Sequence, residues 1–486
     1  MARPITPPVI VWFRDDLRLA DNRALAAAIA AKAPVVALYV HDEASDGLRP
    51  LGGASRWWLH HSLAALDASL AQRGAGLTIL AGPAESVVPA LATRIGAARI
   101  TWSRRYGLPE REIDARLKRT LKDRGIAVES FSDHLVAEPW ELKTQGDAPF
   151  RVFSAFWRAL TRAIEPPEPF DAPRRIAPFP LPPDIAPLPL AALGLRPAIP
   201  WDGGLAETWT PGEIGAHKRL AQFARGELSG YAEGRDRIDR AHTSRLSPHL
   251  RFGEVSPRQV WHALRAADAA AGKAAPADRS KFLSELGWRE FSYHLLYHHP
   301  DLATRNFNTR FDAFPWADDA AALRAWQKGR TGIPIVDAGM RELWHTGYMH
   351  NRVRMIAASF LVKHLMIDWQ QGERWFWDTL VDADPANNAA SWQWVAGSGA
   401  DAAPYFRVFN PVLQSAKFDP DGAYIRRWAP ELARLPVPHL FAPWAAPAAT
   451  LQAAGVGLGT GYPAPVVGLE EGRARALAAF AKLQKS

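Results

Sequence analysis

The chain has 486 residues, enough for two or three domains, and 48% of them are hydrophobic, an ordinary globular share. It contains no cysteine, which excludes disulfides, thiolate catalysis and cysteine-ligated metals or iron–sulfur clusters, and fits a reducing compartment. A formal charge of +8 suggests a polyanionic partner, although a surface charged only for solubility has the same sign.

Five short β-branched runs, at 9–13, 35–40, 77–80, 99–102 and 128–131, alternate with helical stretches such as 55–73 and 110–123. The spacing predicts a doubly wound, parallel five-stranded α/β domain over 1–132. No G-x-G-x-x-G follows the first run, so the dinucleotide fingerprint is absent. No signal-peptide core and no apolar run of membrane-spanning length occurs, so a soluble cytoplasmic protein is expected. Twelve prolines fall within 166–200, which reads as an extended connection inside a linker over 133–212. From 213 to 486 the pattern is all-α. In 352–366, for example, Val353, Ile356, Ala357, Phe360, Leu361, His364 and Leu365 fall at helical spacing. There is no internal repeat, and the tail 471–486 reads as an Ala-rich amphipathic helix.

The most informative stretch is 382–394, which holds Asp382, Asp384, Asn387, Asn388, Trp392 and Trp394. A loop that only solvates itself has no use for two indoles. A planar redox-active ring uses all of these groups: carboxylates accept from ring or ribose donors, an amide faces a ring nitrogen, and indoles stack or pass electrons. The segment points to a flavin. Upstream, Ser247 before Pro248 reads as an N-cap and first helical residue. The hydroxyls and N–H groups of Thr243, Ser244, Arg245 and Leu246 then suit a phosphate, with a plain capped helix as the bland alternative. If 280–295 is a helix, Glu285, Trp288 and Arg289 share one face, as an ordinary ion-paired core face also would. Fifteen histidines, His60-His61 and His298-His299 among them, show no ligand spacing, so no metal site is expected.

Several segments carry a family resemblance. They are Val11-Trp-Phe-Arg-Asp-Asp-Leu-Arg, Thr243-Ser-Arg-Leu-Ser-Pro-His-Leu, Phe282-Leu-Ser-Glu-Leu-Gly-Trp-Arg-Glu-Phe, Gly347-Tyr-Met-His-Asn-Arg, 382–394, and Ala402-Ala-Pro-Tyr-Phe-Arg-Val-Phe-Asn-Pro. In this order the chain resembles the photolyase/cryptochrome family over nearly its whole length, most closely the bacterial cyclobutane pyrimidine dimer photolyases. The resemblance implies an α/β antenna domain, a linker, and a helical domain that binds FAD and DNA. It assigns the FAD diphosphate to 243–247 with Tyr231, the ring and ribose to Asp382 and Asp384, and the arginine paired with Asp382 to Arg354. Phe282, Arg289 and Asn351 join the cofactor set, and Asn388 matches the position facing flavin N5, where it can accept or donate. Phe282 and Tyr348 stand where many relatives have tryptophan.

For the lesion, the resemblance implies a pocket of Glu285, Trp288, Arg289, Met355 and Trp394. The two indoles would wedge the bases and Glu285 would hold a pyrimidine carbonyl. Asn351 and Met355 replace the histidines of (6-4) enzymes, and methionine has no proton to give, which favours cyclobutane dimers. Arg235, Arg289, Asn351, Arg352 and Gln414 match DNA-contacting positions, directed at phosphates. Of the twenty tryptophans, Trp392, Trp369 and Trp316 coincide with the family's electron relay. Glu110, with Trp57 or Trp58 stacking, suggests methenyltetrahydrofolate as antenna; deazaflavin or no antenna are the alternatives, and both indoles could equally be buried. The implied function is light-driven dimer repair by a monomer without a protein partner, against a non-repairing cryptochrome sensor. Asn388, the filled lesion pocket, the basic charge and the lack of a long extension after Ser486 favour repair.

Overall fold

The computed structural model describes residues 6–271, 276–402 and 406–483. The middle of the motif starting at Ala402, residues 403–405, and the last three residues of the tail lie outside them.

The β-branched runs form β1 (Val9–Phe13), β2 (Val35–His41), β3 (Leu77–Ala81), β4 (Arg99–Ser103) and β5 (Ala127–Phe131). They make one parallel sheet in the order β3-β2-β1-β4-β5, each run within a residue or two of its sequence expectation. Central β1 is buried throughout, as a parallel strand covered on both faces must be. Its side chains alternate between two cores, with Val9, Val11 and Phe13 in one and Ile10 and Trp12 in the other. Where a dinucleotide fold would have a glycine loop after β1, this chain has buried ion pairs, including Arg14 with Asp114.

The proline-rich stretch is extended but held along the sheet domain. Val35 donates to Ala177 O (2.8 Å), Phe179 to Val35 O (3.0 Å), and Leu188 to Ile79 O (2.8 Å). After it the described chain is helical. The expected single helix over 352–366 divides into Asn351–Ser359 and a wider turn over Phe360–His364, where Leu365 N–H reaches five residues back to Phe360 O at 3.0 Å. The halves are joined by charge: Arg258 donates to Asp21 (3.0 Å) and Asp133 (2.8 Å), all three buried. Among the described residues, no helix is long and apolar enough to cross a membrane.

Candidate active site

The Pro276–His298, Asn351–Ser359 and Asn387–Ala396 helices converge on a cavity of about 320 Å³, large enough for a cofactor ring system. Tyr231, Ser244, Ser247, Phe282, Glu285, Trp288, Arg289, Asn351, Arg354, Met355, Asp382, Asp384, Asn388 and Trp392 all line it. Thr243, Arg245, Leu246, Arg235, Arg352, Gln414, Trp394, Trp369 and Trp316 do not. Leu246 is a core side chain, and Arg245 lies over the Trp209 ring at 4.5 Å. Trp394 turns its indole N–H to Asp401 O at 3.0 Å.

Ser247 is not an N-cap. Its hydroxyl donates to Asp382 Oδ2 (2.6 Å), which Arg354 also reaches (2.8 Å), while Asp382 Oδ1 is buried with no partner. Burial is the largest single influence and lowers the Arg354 pKa, but Asp382, with Tyr348 and Glu342 adding to it, leaves the pKa raised. Asp384 is largely committed to the protein. Its Oδ1 accepts from Ala386 N–H (2.9 Å), Asn387 N–H (2.8 Å) and the Asn387 amide (2.9 Å), fixing the start of the next helix. Its Oδ2 accepts from the Tyr293 hydroxyl at 2.7 Å.

Asn388 spends both amide hydrogens on one residue, donating to Glu373 O (3.0 Å) and Glu373 Oε1 (2.8 Å). Neither partner as placed offers a hydrogen in return, so the nitrogen belongs on that side. Asn388 Oδ1 therefore faces the cavity as an acceptor, which narrows the expectation that this amide would accept or donate.

Two further expectations are corrected. Arg289 does not reach outward to DNA: it is buried and donates to His134 O (2.8 Å) and His134 Nε2 (2.7 Å). Burial, then Arg289, pushes His134 down to about 3, so the ring is neutral and can accept there. Trp57 and Trp58 cannot stack on an antenna ring, because both are almost fully buried and Trp58 donates to Glu254 Oε1 at 2.9 Å. Of the other DNA candidates, Arg235 is paired with Glu285 and Arg352 with Asp236 (2.7 Å).

Trp288 stacks on Phe153 at 3.8 Å and 9°, leaving its opposite face to the cavity. Trp392 packs edge-on against Phe376 (4.9 Å) and lies so close to Gly372 that a Cβ there would come within 2.1 Å of its ring. Gly372 is one turn from Trp369, so the helix that meets Trp392 also carries the next tryptophan of the expected relay. Trp369 is buried and Trp316 half-buried. A smaller cavity of about 140 Å³ lies between the halves, lined by Glu110, Arg104, Arg105, His41, Arg49 and Asp15 among others. Burial alone would raise the Asp15 pKa, but Arg251 and Arg105 hold it at about 2. Arg251 borders both cavities.

Residues 9–174 match the family model described as DNA photolyase, and residues 282–482 the model described as FAD binding domain of DNA photolyase. A deoxyribodipyrimidine photo-lyase of Agrobacterium fabrum is 50% identical over 482 residues, covering 99% of each chain. The chain belongs to the DNA photolyase/cryptochrome family. Cryptochrome-1 of Arabidopsis thaliana is 42% identical over 480 residues, covering 96% of this chain and 69% of its own. A crystal structure of a bacterial class III photolyase from Agrobacterium tumefaciens superposes with a TM-score of 0.96 at 50% identity, covering 100% of both chains.

Membership makes the helical half a photolyase-type FAD-binding domain, and its cavity has room for the ring system of such a ligand. The partnerless Asp382 Oδ1 and Trp392 Nε1, both in side chains that line the cavity, are the unpaired polar atoms a bound polar ring system would engage. The sequence reading missed Glu373, Tyr293 and Arg219. Arg219 fastens the 243–247 loop by donating to Ser244 O (2.6 Å) and Thr243 O (3.0 Å). All three act through other residues, and no spacing in the chain marks them.

Proposed function

We propose that the protein repairs cyclobutane pyrimidine dimers in UV-damaged DNA, and that the cavity of the helical half takes the FAD ring system with the extruded lesion beside it. The observation that carries this reading is the convergence of Glu285, Trp288, Asn351 and Met355 with Asp382, Arg354 and Asn388 on one cavity. Reduced FAD, when bound, supplies a light-driven electron that opens the dimer and returns, with no net redox change. Ser244, Ser247, Tyr231, Phe282, Arg354, Asp382 and Asn388 would hold it. Extruding a dimer costs roughly a few kcal/mol, less than for an intact pair. The free face of Trp288 offsets this by stacking, on the order of 1–3 kcal/mol per base. Glu285, held by Arg235 and Lys281 (3.0 Å), presents a polar edge to a pyrimidine. Met355 offers no proton, which supports cyclobutane over (6-4) lesions.

Outside the cavity, Gln414 and Arg352 are assigned to the DNA backbone, Trp394 to the lesion side, and Trp392, Trp369 and Trp316 to photoreduction. Glu110 in the smaller cavity supports a methenyltetrahydrofolate antenna there. The cysteine-free chain supports a reducing, cytoplasmic location, and this chemistry needs no protein partner and no second copy.

Affinity for a single-dimer oligonucleotide tests the assignment. The parent should bind it at least tenfold tighter than undamaged DNA. Glu285→Ala should lose most of that preference and of the repair yield while keeping FAD. Equal preference in parent and variant would remove Glu285 from the site.

A further inference from the structure

The Asn388–Glu373 pair does not end within the helical half. Glu373 is buried, with its side chain 3% exposed, and both its oxygens are taken by Arg49, which arrives from the loop before the Gly53–Ala71 helix of the α/β half. Arg49 donates to Oε1 at 2.7 Å and Oε2 at 2.8 Å, the bidentate fork of a strong guanidinium–carboxylate pair. Oε1 is the same atom that accepts from Asn388.

The loop is itself pressed onto the partner helix. The Arg49 guanidinium lies 4.0 Å from the Trp377 ring centre, and Trp377 donates to Pro50 O at 2.8 Å. At Gly52 a Cβ would come within 2.2 Å of Trp377 O, so no larger residue allows this approach. Arg49 also lines the smaller cavity, so a continuous chain of contacts runs from there through Glu373 and Asn388 to the larger one.

We propose that Arg49 is a positioning residue for Asn388: from the α/β half, through Glu373, it fixes the amide with its oxygen toward the cofactor cavity. The proposal rests on the reading of that cavity as the FAD site. A carboxylate this buried needs a counter-charge. Without Arg49, Glu373 either remains an uncompensated negative charge or takes up a proton that can be donated to Asn388 Oδ1, turning the amide over. The first opposes added electron density on a nearby ring, and the second replaces an acceptor for a ring N–H by a donor. Both disfavour the reduced flavin.

The test is the midpoint potential of bound FAD in Arg49→Met, Asn388→Ala and the double variant. Arg49→Met should keep FAD and lower the reduced-to-oxidised ratio about tenfold at fixed solution potential, a shift of about 30 mV for a two-electron couple. In the Asn388→Ala background the same substitution should shift it little, because the route is gone. Equal shifts in both backgrounds would make Arg49 a distant charge and overturn the positioning role, as would no shift in either. Arg49→Lys keeps the charge without the fork, and it carries the same test if the methionine variant loses its flavin. Loss of FAD from both, with the fold intact by circular dichroism, would also overturn the proposal by making Arg49 a retention residue. A parent protein that takes up no FAD would sink the cavity reading itself, before Arg49 is at issue.

Discussion

At the scale of single residues, the site is set by how each polar atom is used. Asp382 and Asp384 are two residues apart with the same side chain, yet one keeps a buried oxygen without a partner while the other is spent on a helix start. Sequence alone marked both, because residue type and spacing show which groups are present but not which hydrogen bonds they have already made. The same limit explains Arg289, whose inward partner His134 lies 155 residues away. Lys363, which nothing in the sequence singled out, is buried and donates to Arg407 O at 2.6 Å. Burial, with Arg407 adding to it, pushes its pKa down to about 7 from 10.5. The folded chain then binds that proton less readily than the unfolded one, so this stability contribution is complete above 10.5 and falls away as pH drops toward 7. Thermal melts should therefore favour Lys363→Met over the parent increasingly as pH is lowered from about 10 to 7. A difference that does not change with pH would contradict the depressed value.

Elements were the most legible level. Each strand fell within a residue or two of its β-branched run; β1 and β2 are buried and apolar almost throughout, as central parallel strands must be, while edge β5 is half-exposed and carries Glu129. The helix bearing Glu285, Trp288 and Arg289 put all three on one cavity wall, as i, i+3, i+4 spacing requires. Two features escaped. The wider turn at Phe360–His364 leaves the periodicity of its apolar residues nearly unchanged. The seating of Trp392 against Gly372 depends on two helices meeting, and a lone glycine in a helix does not announce a partner. That contact predicts that Gly372→Ala overpacks the cavity wall. It should cost about 1–3 kcal/mol in denaturant unfolding and weaken FAD retention. A variant as stable as the parent, with full FAD content, would mean that Trp392 has room to move.

For the whole molecule, the two halves are bound by buried and half-buried ion pairs rather than joined by a free tether. Arg258 with Asp21 and Asp133, Arg251 with Asp15, and Arg49 with Glu373 all cross between them. The proline-rich connection lies along the sheet domain and reinforces this. Charge and composition pointed to a polyanionic partner, and only the ordered set of motifs narrowed it to damaged DNA. The family contains both repair enzymes and cryptochromes, and relatives of both names cover most of this chain. On the proposed reading, the side of the cavity that bears Glu285, Trp288 and Met355 distinguishes the two activities. The deciding measurement is the recovery of thymine absorbance near 260 nm when the purified protein, reduced without oxygen, is mixed with an oligonucleotide bearing one thymine cyclobutane dimer and lit with blue light. Recovery is expected in light and none in the dark. No recovery in light, with FAD bound and photoreducible, would contradict it and place the protein with the sensors.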